Sequence, residues 1–326
     1  MTTIKDVAHH AEVSVATVSR VINRNGYVNE DTRKKVEAAV EELNYKPNSV
    51  ARSLFKKQSK TIGIIVPDIT NPYFPELVRG VEDYLIKKGF TTILCNSDED
   101  PEKERLYLDV MKQKYVDGVI IVSNMAEREF IDECDIPMVA LDRNVHQEMP
   151  AFVIDNRDGG RVATEHLFDV GCKRVAHIKG PDQVINSEER YEGYIEVVNG
   201  RDWFQDSFVV SGNFEQKQAA QVTKQLLNKH PEIDGIFAGN DAMAVGVLKA
   251  AESLNLKVPE DLAIIGFDGI DLTEMTSPEL TTLSQPIYQM SRDAAKALIT
   301  LIEGKTIKQK ENLFPLQLLK RQSTKR

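Results

Sequence analysis

The sequence predicts an α/β protein in which a small all-α module is followed by a larger body of two lobes with parallel sheets. Three observations predict this. Residues 3–43 show the apolar spacing of three short helices, and strand-like runs alternate with helical ones from Thr61 onward. At 326 residues the chain is also too long for one ordinary hydrophobic core.

Composition and charge agree with this division. The chain has 41% hydrophobic and 28% charged residues, as a soluble globular protein does, and no apolar run approaches the ~20 residues that span a bilayer. Residues 1–60 hold 11 Lys and Arg against 7 Asp and Glu, whereas the remaining residues hold 30 against 43. A basic module on an acidic body indicates a nucleic-acid partner for the module alone.

The first helix is predicted from its cap and its apolar stripe. Thr3 is placed to cap it, and Asp6 three residues later completes the pattern of a capping box. The stripe that follows has the spacing of one helix face and comprises Ile4, Val7, Ala8 and Ala11.

Two more helices follow in the module. Ser14 is placed to cap the second, which ends at the turn cluster 23–26, and the third begins behind Asn29. Their apolar stripes are Val18, Val21 and Ile22 in the second helix and Val36, Ala39, Val40 and Leu43 in the third. Two short helices joined by about three residues, with a third as support, form a helix-turn-helix.

The helix-turn-helix places the outward face of the second helix against DNA base edges. Arg20 is the residue type that bonds guanine bidentately, which is worth ~1–3 kcal/mol of discrimination. Val15 and Ala16 offer apolar contact, for example to a thymine methyl group. Residues suited to phosphate oxygens are Thr17, Ser19 and Asn23.

The segment 48–57 is too short to form a stable helix alone. With it, residues 2–57 resemble the headpiece and hinge of the lactose/galactose-repressor family, in the runs 3–8, 13–23, 32–40, 44–48 and 50–54. The resemblance implies paired hinge helices in the minor groove, with Leu54 as the wedge that kinks the DNA. It also implies DNA contacts from Thr3, Ser14, Asn48 and Ala51.

In the body, two sets of alternating strands and helices predict two lobes with parallel sheets. The predicted strands are 61–66, 91–95, 119–122, 137–141 and 152–154 in the first set, and 174–178, 207–210, 235–238 and 262–267 in the second. The predicted helices are 74–88, 103–115, 158–169, 188–198, 214–229, 241–253 and 287–303. Ligands of such sheets bind in the crevice at the carboxyl ends of the strands.

The body resembles the periplasmic sugar-binding fold that the repressor family uses as its sensor. This resemblance implies that the chain crosses between lobes three times, near Asn156, Gln285-Pro286 and Pro315. The implied domains are a headpiece at 1–47, a hinge and linker at 48–59, and a ligand-binding and dimerisation domain at 60–326. Within the last, the first lobe is about 60–156 and 287–315, and the second about 157–285 and 316–326.

Polar and aromatic residues collect at the predicted strand ends. Sugars present hydroxyl edges and C–H faces, so amides, carboxylates and guanidiniums combined with aromatic rings suit them. These motifs resemble the pocket of bacterial ribose-binding proteins and ribose-responsive repressors. The implied ligand-binding residues are Asn71, Tyr73, Phe74, Asp142, Arg143, Arg190, Asn240, Phe267, Asp268 and Gln285, with Phe214 and Asn124 on shorter motifs. Tyr73 replaces a phenylalanine of the ribose-binding protein, which leaves the exact sugar open.

We therefore expect a DNA-binding transcriptional repressor, without cofactor or metal, whose operator affinity is controlled by a small sugar, with ribose favoured. Alternatives of the same family are a catabolite-control regulator that reads a phosphorylated carrier protein and a purine-responsive repressor. A secreted sugar receptor does not account for residues 1–57, and the nucleophile–base constellation that an enzyme would need is not seen in the sequence.

Without a hydrophobic leader or a heptad tail, a cytoplasmic homodimer is expected. Cys95, Cys134 and Cys172 are expected to be reduced thiols.

Overall fold

The computed structural model describes residues 2–46, 58–123, 134–144 and 146–325. The chain forms two compact units, Met1–Ser59 and Lys60–Arg326. The predicted hinge helix falls on residues outside the described ranges.

The first unit contains three helices at the predicted positions: α1 (Ile4–His10), α2 (Val15–Asn23) and α3 (Glu30–Glu42). The capping box of α1 is confirmed, since Thr3 accepts a hydrogen bond from the Asp6 backbone and the Asp6 side chain accepts one from the Thr3 backbone. Ser14 caps α2 and Asn29 caps α3 through their side-chain oxygens. The centre of the core is fully buried and consists of Val7, Val18 and Val36.

The first sheet of the second unit has six strands in the order β11-β5-β4-β3-β1-β2, all paired in parallel. Its strands are β1 (Thr61–Val66), β2 (Thr91–Asn96), β3 (Gly118–Ile121), β4 (Met138–Leu141), β5 (Ala151–Ile154) and β11 (Glu311–Phe314). The helices of this lobe are α4 (Tyr73–Leu85), α5 (Pro101–Gln113) and α10 (Ile287–Ile302), and α10 packs against α4.

The second sheet also has six strands, in the order β12-β10-β9-β8-β6-β7. Only its edge pair, β10 with β12, is antiparallel. The strands are β6 (Val175–Lys179), β7 (Val209–Ser211), β8 (Gly235–Ala238), β9 (Ala263–Asp268), β10 (Thr281–Ser284) and β12 (Gln317–Leu319). The helices are α6 (Asn156–Asp169), α7 (Ile185–Val198), α8 (Gln216–Lys229) and α9 (Asp241–Ser253).

The chain passes between the two sheets three times in the described residues. It leaves the first sheet after Ile154, returns to it after Ser284, and leaves it again after Phe314. These passages lie close to Asn156, Gln285-Pro286 and Pro315, where the family resemblance implies crossings. Parallel strands therefore end on both sides of one crevice, where the fold places side chains from both lobes.

The structure corrects several predicted boundaries. Helix α7 begins at Ile185 rather than at residue 188, and α5 begins at Pro101 rather than at 103, since Asp100 caps it and proline suits the first helical position. Helix α8 begins at Gln216 rather than at 214, because Phe214 has φ 60°, outside the helical region. The sequence reading did not include β10, β11 and β12, three short strands near the sheet edges.

Candidate functional site

A cavity of about 480 Å³ lies between the two lobes of the second unit. Its walls come from the ends of strands and the starts of helices in both lobes, as expected for parallel sheets. The lining residues are Pro67, Asp68, Asn71, Tyr73, Phe74, Asp98, Glu99, Asp142 and Arg143 from the first lobe, and Pro181, Asn186, Arg190, Asn213, Phe214, Glu215, Asn240 and Asp268 from the second. The volume lies within the range of small-molecule sites.

Nine of the twelve predicted ligand-binding residues line this cavity: Asn71, Tyr73, Phe74, Asp142, Arg143, Arg190, Phe214, Asn240 and Asp268. Phe267 and Gln285 do not line it. Asn124 lies outside the described residues. The carboxyl ends of the strands therefore bring together most of the residues that the motifs indicated.

Asp142 is the residue on which contacts from both lobes converge. Its Oδ1 accepts a hydrogen bond of 2.7 Å from the Tyr73 hydroxyl. Its Oδ2 accepts one of 3.0 Å from the side-chain nitrogen of Asn186 and one of 3.2 Å from Nε of Arg143. The backbone of Asp142 is left-handed, with φ 71°, a conformation that aspartate tolerates better than most residues. Burial and then the Asp142 charge raise the pKa of Tyr73 well above its ordinary value, so its hydroxyl remains a donor.

Arg143 lies between two carboxylates. Its Nη1 donates to Oε1 of Glu99 over 2.7 Å, while its Nε reaches Asp142. The Arg143 side chain is 3% exposed and that of Glu99 31% exposed, so this ion pair is largely shielded from water. Although burial opposes it, the Glu99 and Asp142 charges raise the pKa of Arg143 above its ordinary value. The guanidinium charge is therefore compensated within the cavity wall.

Arg190 is held from three sides in the second lobe. Its Nε donates to Oδ1 of Asn156 over 2.9 Å and its Nη1 to the Gly239 carbonyl over 2.6 Å. The same Nη1 lies 3.3 Å from Oδ1 of Asp268. The guanidinium carbon stands 3.8 Å from the centre of the Phe267 ring. Phe267 thus supports Arg190 from beneath the cavity floor, which explains why it does not line the cavity.

Gln285 joins the two lobes behind the cavity wall. Its Nε2 donates to Oδ1 of Asp268 over 2.8 Å, and its Oε1 lies 3.3 Å from the Tyr73 hydroxyl. Both ends of the Gln285 amide are therefore engaged by protein groups. Burial raises the pKa of Asp268 to about 7, against the opposing charge of Arg190.

Two aromatic rings give the cavity its apolar surfaces. Phe74 is buried and packs edge-on against Tyr73, with ring centres 5.1 Å apart. Phe214, on the opposite lobe, lies against Gly180, where a Cβ atom would stand 2.4 Å from the ring. Glycine is thus required at 180 for the ring to occupy its place. Such rings suit the C–H faces of a sugar.

Six polar lining residues were not among the predicted ligand-binding residues: Asp68, Asp98, Glu99, Asn186, Asn213 and Glu215. Asn186 lies in the first turn of α7, whose predicted start at residue 188 is three residues too late. Glu99 follows β2 within a turn where Asp98 and Glu99 both have φ 55°. Glu99, Asn213 and Glu215 are polar residues that follow the end of a strand, and this position could have indicated them from the sequence.

The predicted base-reading face of α2 is presented to solvent. Val15, Ala16 and Arg20 are exposed, whereas Thr17 and Ser19 are half-buried. The side-chain nitrogen of Asn23 donates to the Ser19 carbonyl over 2.8 Å. Part of the amide group that we expected to contact a DNA phosphate is therefore engaged within the helix. The hydroxyls of Thr3 and Ser14 take part in their helix caps. The predicted contacts Asn48, Ala51 and Leu54 lie outside the described residues.

Across 2–46, 58–123, 134–144 and 146–325, no group of three or more His, Cys, Asp or Glu side chains is arranged to hold a metal ion. Within the same ranges, no helix is both long and apolar enough to cross a membrane. Hydrogen bonds and ion pairs among the cavity side chains hold polar groups in place, an arrangement suited to binding a polar ligand.

Comparisons with known proteins match both units. Residues 3–48 match bacterial regulatory proteins of the lacI family, and residues 164–324 match the periplasmic binding protein-like domain. The ribose operon repressor of Halalkalibacterium halodurans is 49% identical over 325 residues, which cover 100% of this chain and 98% of that protein.

Two solved structures extend the match to three dimensions. The lac repressor dimer bound to operator and the anti-inducer ONPF aligns with a TM-score of 0.89 at 28% identity, over 99% of both chains. A LacI-family transcriptional regulator from Enterococcus faecium, with bound ribose, aligns with a TM-score of 0.73 at 33% identity. That match covers 81% of this chain and 98% of the other.

Proposed function

The chain belongs to the lacI family of bacterial regulatory proteins and is a sugar-responsive operon repressor, and we propose that its effector is ribose or a closely related pentose. One observation carries this proposal. Asp142, Arg143, Arg190 and Asp268 converge from both lobes on a cavity walled by aromatic rings. The 49% identity to a ribose operon repressor and the ribose bound in the Enterococcus faecium relative support the choice of sugar.

The cavity chemistry suits a pentose. Asp142 and Asp268 offer carboxylate oxygens as acceptors, while Arg143 and Arg190 offer the guanidinium donors that their protein partners leave. Asn71 and Asn240 each accept a backbone hydrogen bond through Oδ1, which orients their amide groups. Hydroxyls both donate and accept, so alternating acceptors and donors around aromatic rings match a sugar ring better than an apolar ligand.

The Tyr73 hydroxyl bears on which groups are left to bind the sugar. Its hydroxyl donates to Asp142 and approaches Gln285, so it is engaged by protein groups. We propose that this hydroxyl orients Asp142 for the sugar and does not itself bond to the sugar. The replacement of a phenylalanine by Tyr73 is then compatible with ribose.

The first unit supplies the operator contacts in this proposal. Exposed Arg20 would bond a guanine, and Val15 and Ala16 would contact thymine methyl groups. Residues 1–47 serve as the headpiece, 48–59 as the hinge, and 60–326 bind sugar and form the dimer. Leu54, with Asn48 and Ala51, is assigned to the minor groove by the family resemblance.

We propose that sugar acts as an inducer, lowering operator affinity by biasing the lobes about their three crossings. Coupling of this kind is typically about 5- to 150-fold and is reciprocal. Operator DNA should therefore weaken ribose binding by the same factor by which ribose weakens operator binding. Tighter ribose binding with operator present would reverse the sign and indicate co-repression.

The test uses the full chain and an operator selected from random palindromic duplexes. Calorimetry measures the affinity for ribose, with hypoxanthine and a phosphorylated carrier protein as competitors, with and without saturating operator. We expect ribose alone of the three to bind and to weaken operator binding. Binding of hypoxanthine or of the carrier protein without ribose binding would overturn the proposal in favour of a purine-responsive or catabolite-control regulator.

A further inference from the structure

The cavity wall carries an excess of negative charge. Two cations line it, Arg143 and Arg190, against six carboxylates: Asp68, Asp98, Glu99, Asp142, Asp268 and Glu215. Asp98 has a cation of its own in Lys103, outside the cavity. Burial raises the pKa of Asp268 to about 7, but counting Asp268 as neutral still leaves the acidic groups in the majority.

The positive charge of each guanidinium is already paired with protein carboxylates, although each keeps N–H donors that could reach a neutral ligand. Arg143 faces two carboxylates, at 2.7 Å from Glu99 and 3.2 Å from Asp142. Arg190 faces Asp268 at 3.3 Å, while Asn156 and the Gly239 carbonyl take further donors. Proteins that bind phosphate esters use Arg or Lys groups whose charge is open to the ligand.

Helix N-termini are the other common anion sites, and four of them reach this cavity. Each has an acidic residue in its first turn or at its cap position. These residues are Glu76 in the first turn of α4, Glu188 in that of α7, Asp241 in that of α9, and Glu215 at the cap position of α8. A phosphate placed at one of these helix starts would therefore have an acidic residue nearby, and α9 is already capped by the Asn240 side chain.

Size does not exclude a phosphate ester, because the cavity of about 480 Å³ lies within the range of sites for small molecules. Resting on the proposed sugar-binding function, we propose that the cavity selects an uncharged sugar against its phosphate esters by charge. Glu99 sets this selectivity as a positioning residue, because it occupies the Arg143 guanidinium that a phosphate would otherwise take. The protein thus reports the free sugar, the substrate of a sugar kinase, and not the product of phosphorylation.

The first test compares each sugar with its own ester by calorimetry on the full chain. The pairs are ribose and ribose 5-phosphate, glucose and glucose 6-phosphate, and fructose and fructose 1-phosphate. Because unfavourable charge pairing costs several kcal/mol, the ester should bind at least about a hundredfold more weakly than its parent. Higher salt should narrow this ratio, since it screens the charges.

The second test assigns the role of Glu99. Glu99→Gln keeps an oxygen acceptor for Arg143 and removes one negative charge, so the ratio between ribose and its phosphate should narrow about tenfold. Glu215→Gln changes an exposed residue that lines the cavity. This variant should narrow the ratio between ribose and its phosphate less, because the substitution frees no guanidinium. Glu252→Gln removes an exposed glutamate paired with Lys249 on α9 and should leave the ratio unchanged.

The outcomes separate this proposal from the choice of ribose. Preference for a different neutral sugar over its ester would overturn ribose as effector and support charge selection. An ester that binds the wild-type protein as tightly as its parent would overturn charge selection. An unchanged ratio in a folded Glu99→Gln protein would remove Glu99 from the proposal, and if that variant does not fold, Glu215→Gln decides whether charge selects. Absence of binding by all six sugars would overturn both.

Discussion

The side-chain nitrogen of Asn186 lies 3.0 Å from Oδ2 of Asp142 and donates a hydrogen bond to it across the crevice. Asn186 belongs to α7 of the second lobe, and Asp142 follows β4 of the first. Both residues are buried, at 4% and 3% exposure, so little water competes for this bond. The hydrogen bond stabilises the approach of the two lobes at Asp142, the residue that we propose binds sugar hydroxyls.

Asn186→Ala removes this donor and should weaken sugar binding about 5- to 30-fold. A lost hydrogen bond to a charged group costs ~1–2 kcal/mol, and here the cost falls on the arrangement in which the lobes approach each other. Calorimetry with ribose measures the effect. Asn228→Ala, on an exposed position of α8 outside the cavity, is the control and should bind like wild type. Equal affinities in all three proteins would contradict a role for the bond in binding.

Asp142→Ala should abolish the response to sugar while operator binding by the free protein persists. The substitution removes the acceptor of Tyr73, Asn186 and Arg143 together, and each unpaired buried donor costs ~1–3 kcal/mol. Arg190→Ala should lose the response as well. It should also lower stability by ~1–3 kcal/mol, because Oδ1 of Asn156 and the Gly239 carbonyl lose the guanidinium that donates to them.

Fluorescence anisotropy of labelled operator, titrated with ribose, measures that response. Circular dichroism shows whether each variant is folded. If either folded variant releases operator at wild-type ribose concentrations, the sugar binds elsewhere.

Much of the site was predictable because strand ends in parallel sheets meet at one edge. Asp142 and Asp268 each follow a buried apolar run, and the period of the pattern placed both runs in strands. The conclusion that they share a crevice required only the order of strands and helices. Local sequence and topology therefore agree at these positions.

The positions that the motifs did not indicate have a different cause. A Phe-Asp-Gly motif does not tell which of two neighbours faces the crevice when a strand is buried on both sides, and Phe267 turns inward beneath Arg190. Gln285 and Glu99 are placed by partners more than a dozen residues away, Asp268 and Arg143. Contacts between distant segments depend on tertiary packing, which periodicity within one segment does not contain.

Arg20→Ala should weaken operator binding by ~1–3 kcal/mol and relax the base preference at one position in each half-site. Arg20 is exposed in the last turn of α2 and is the side chain on that face suited to bidentate guanine contact. Binding to the selected operator and its single-base variants, at fixed salt, measures both effects. Arg33→Ala removes an exposed cation of α3 and should not alter base preference. An unchanged preference in Arg20→Ala would refute the assignment.

The buried Asp268 carboxyl should make stability depend on pH in a known direction. Burial raises its pKa from the ordinary value of 3.8 to about 7, so between these values the folded protein holds a proton that the unfolded chain releases. Stability therefore falls as pH rises, wherever the folded state binds more protons. The contribution of the raised pKa of Asp268 is full below about pH 4 and is lost as pH rises toward 7.

Asp268→Asn removes this titration, so the wild type should lose ~1–3 kcal/mol relative to the variant between pH 5 and pH 7.5. Denaturant unfolding followed by the fluorescence of Trp203 measures the difference, because the chain has one tryptophan and it packs against Phe208 in the second lobe. Asp202→Asn changes an exposed aspartate beside Trp203. It is the matched control and should keep the wild-type dependence of stability on pH. A variant that loses stability relative to wild type as pH rises would show instead that the Arg190 ion pair keeps Asp268 ionised, with a lowered pKa.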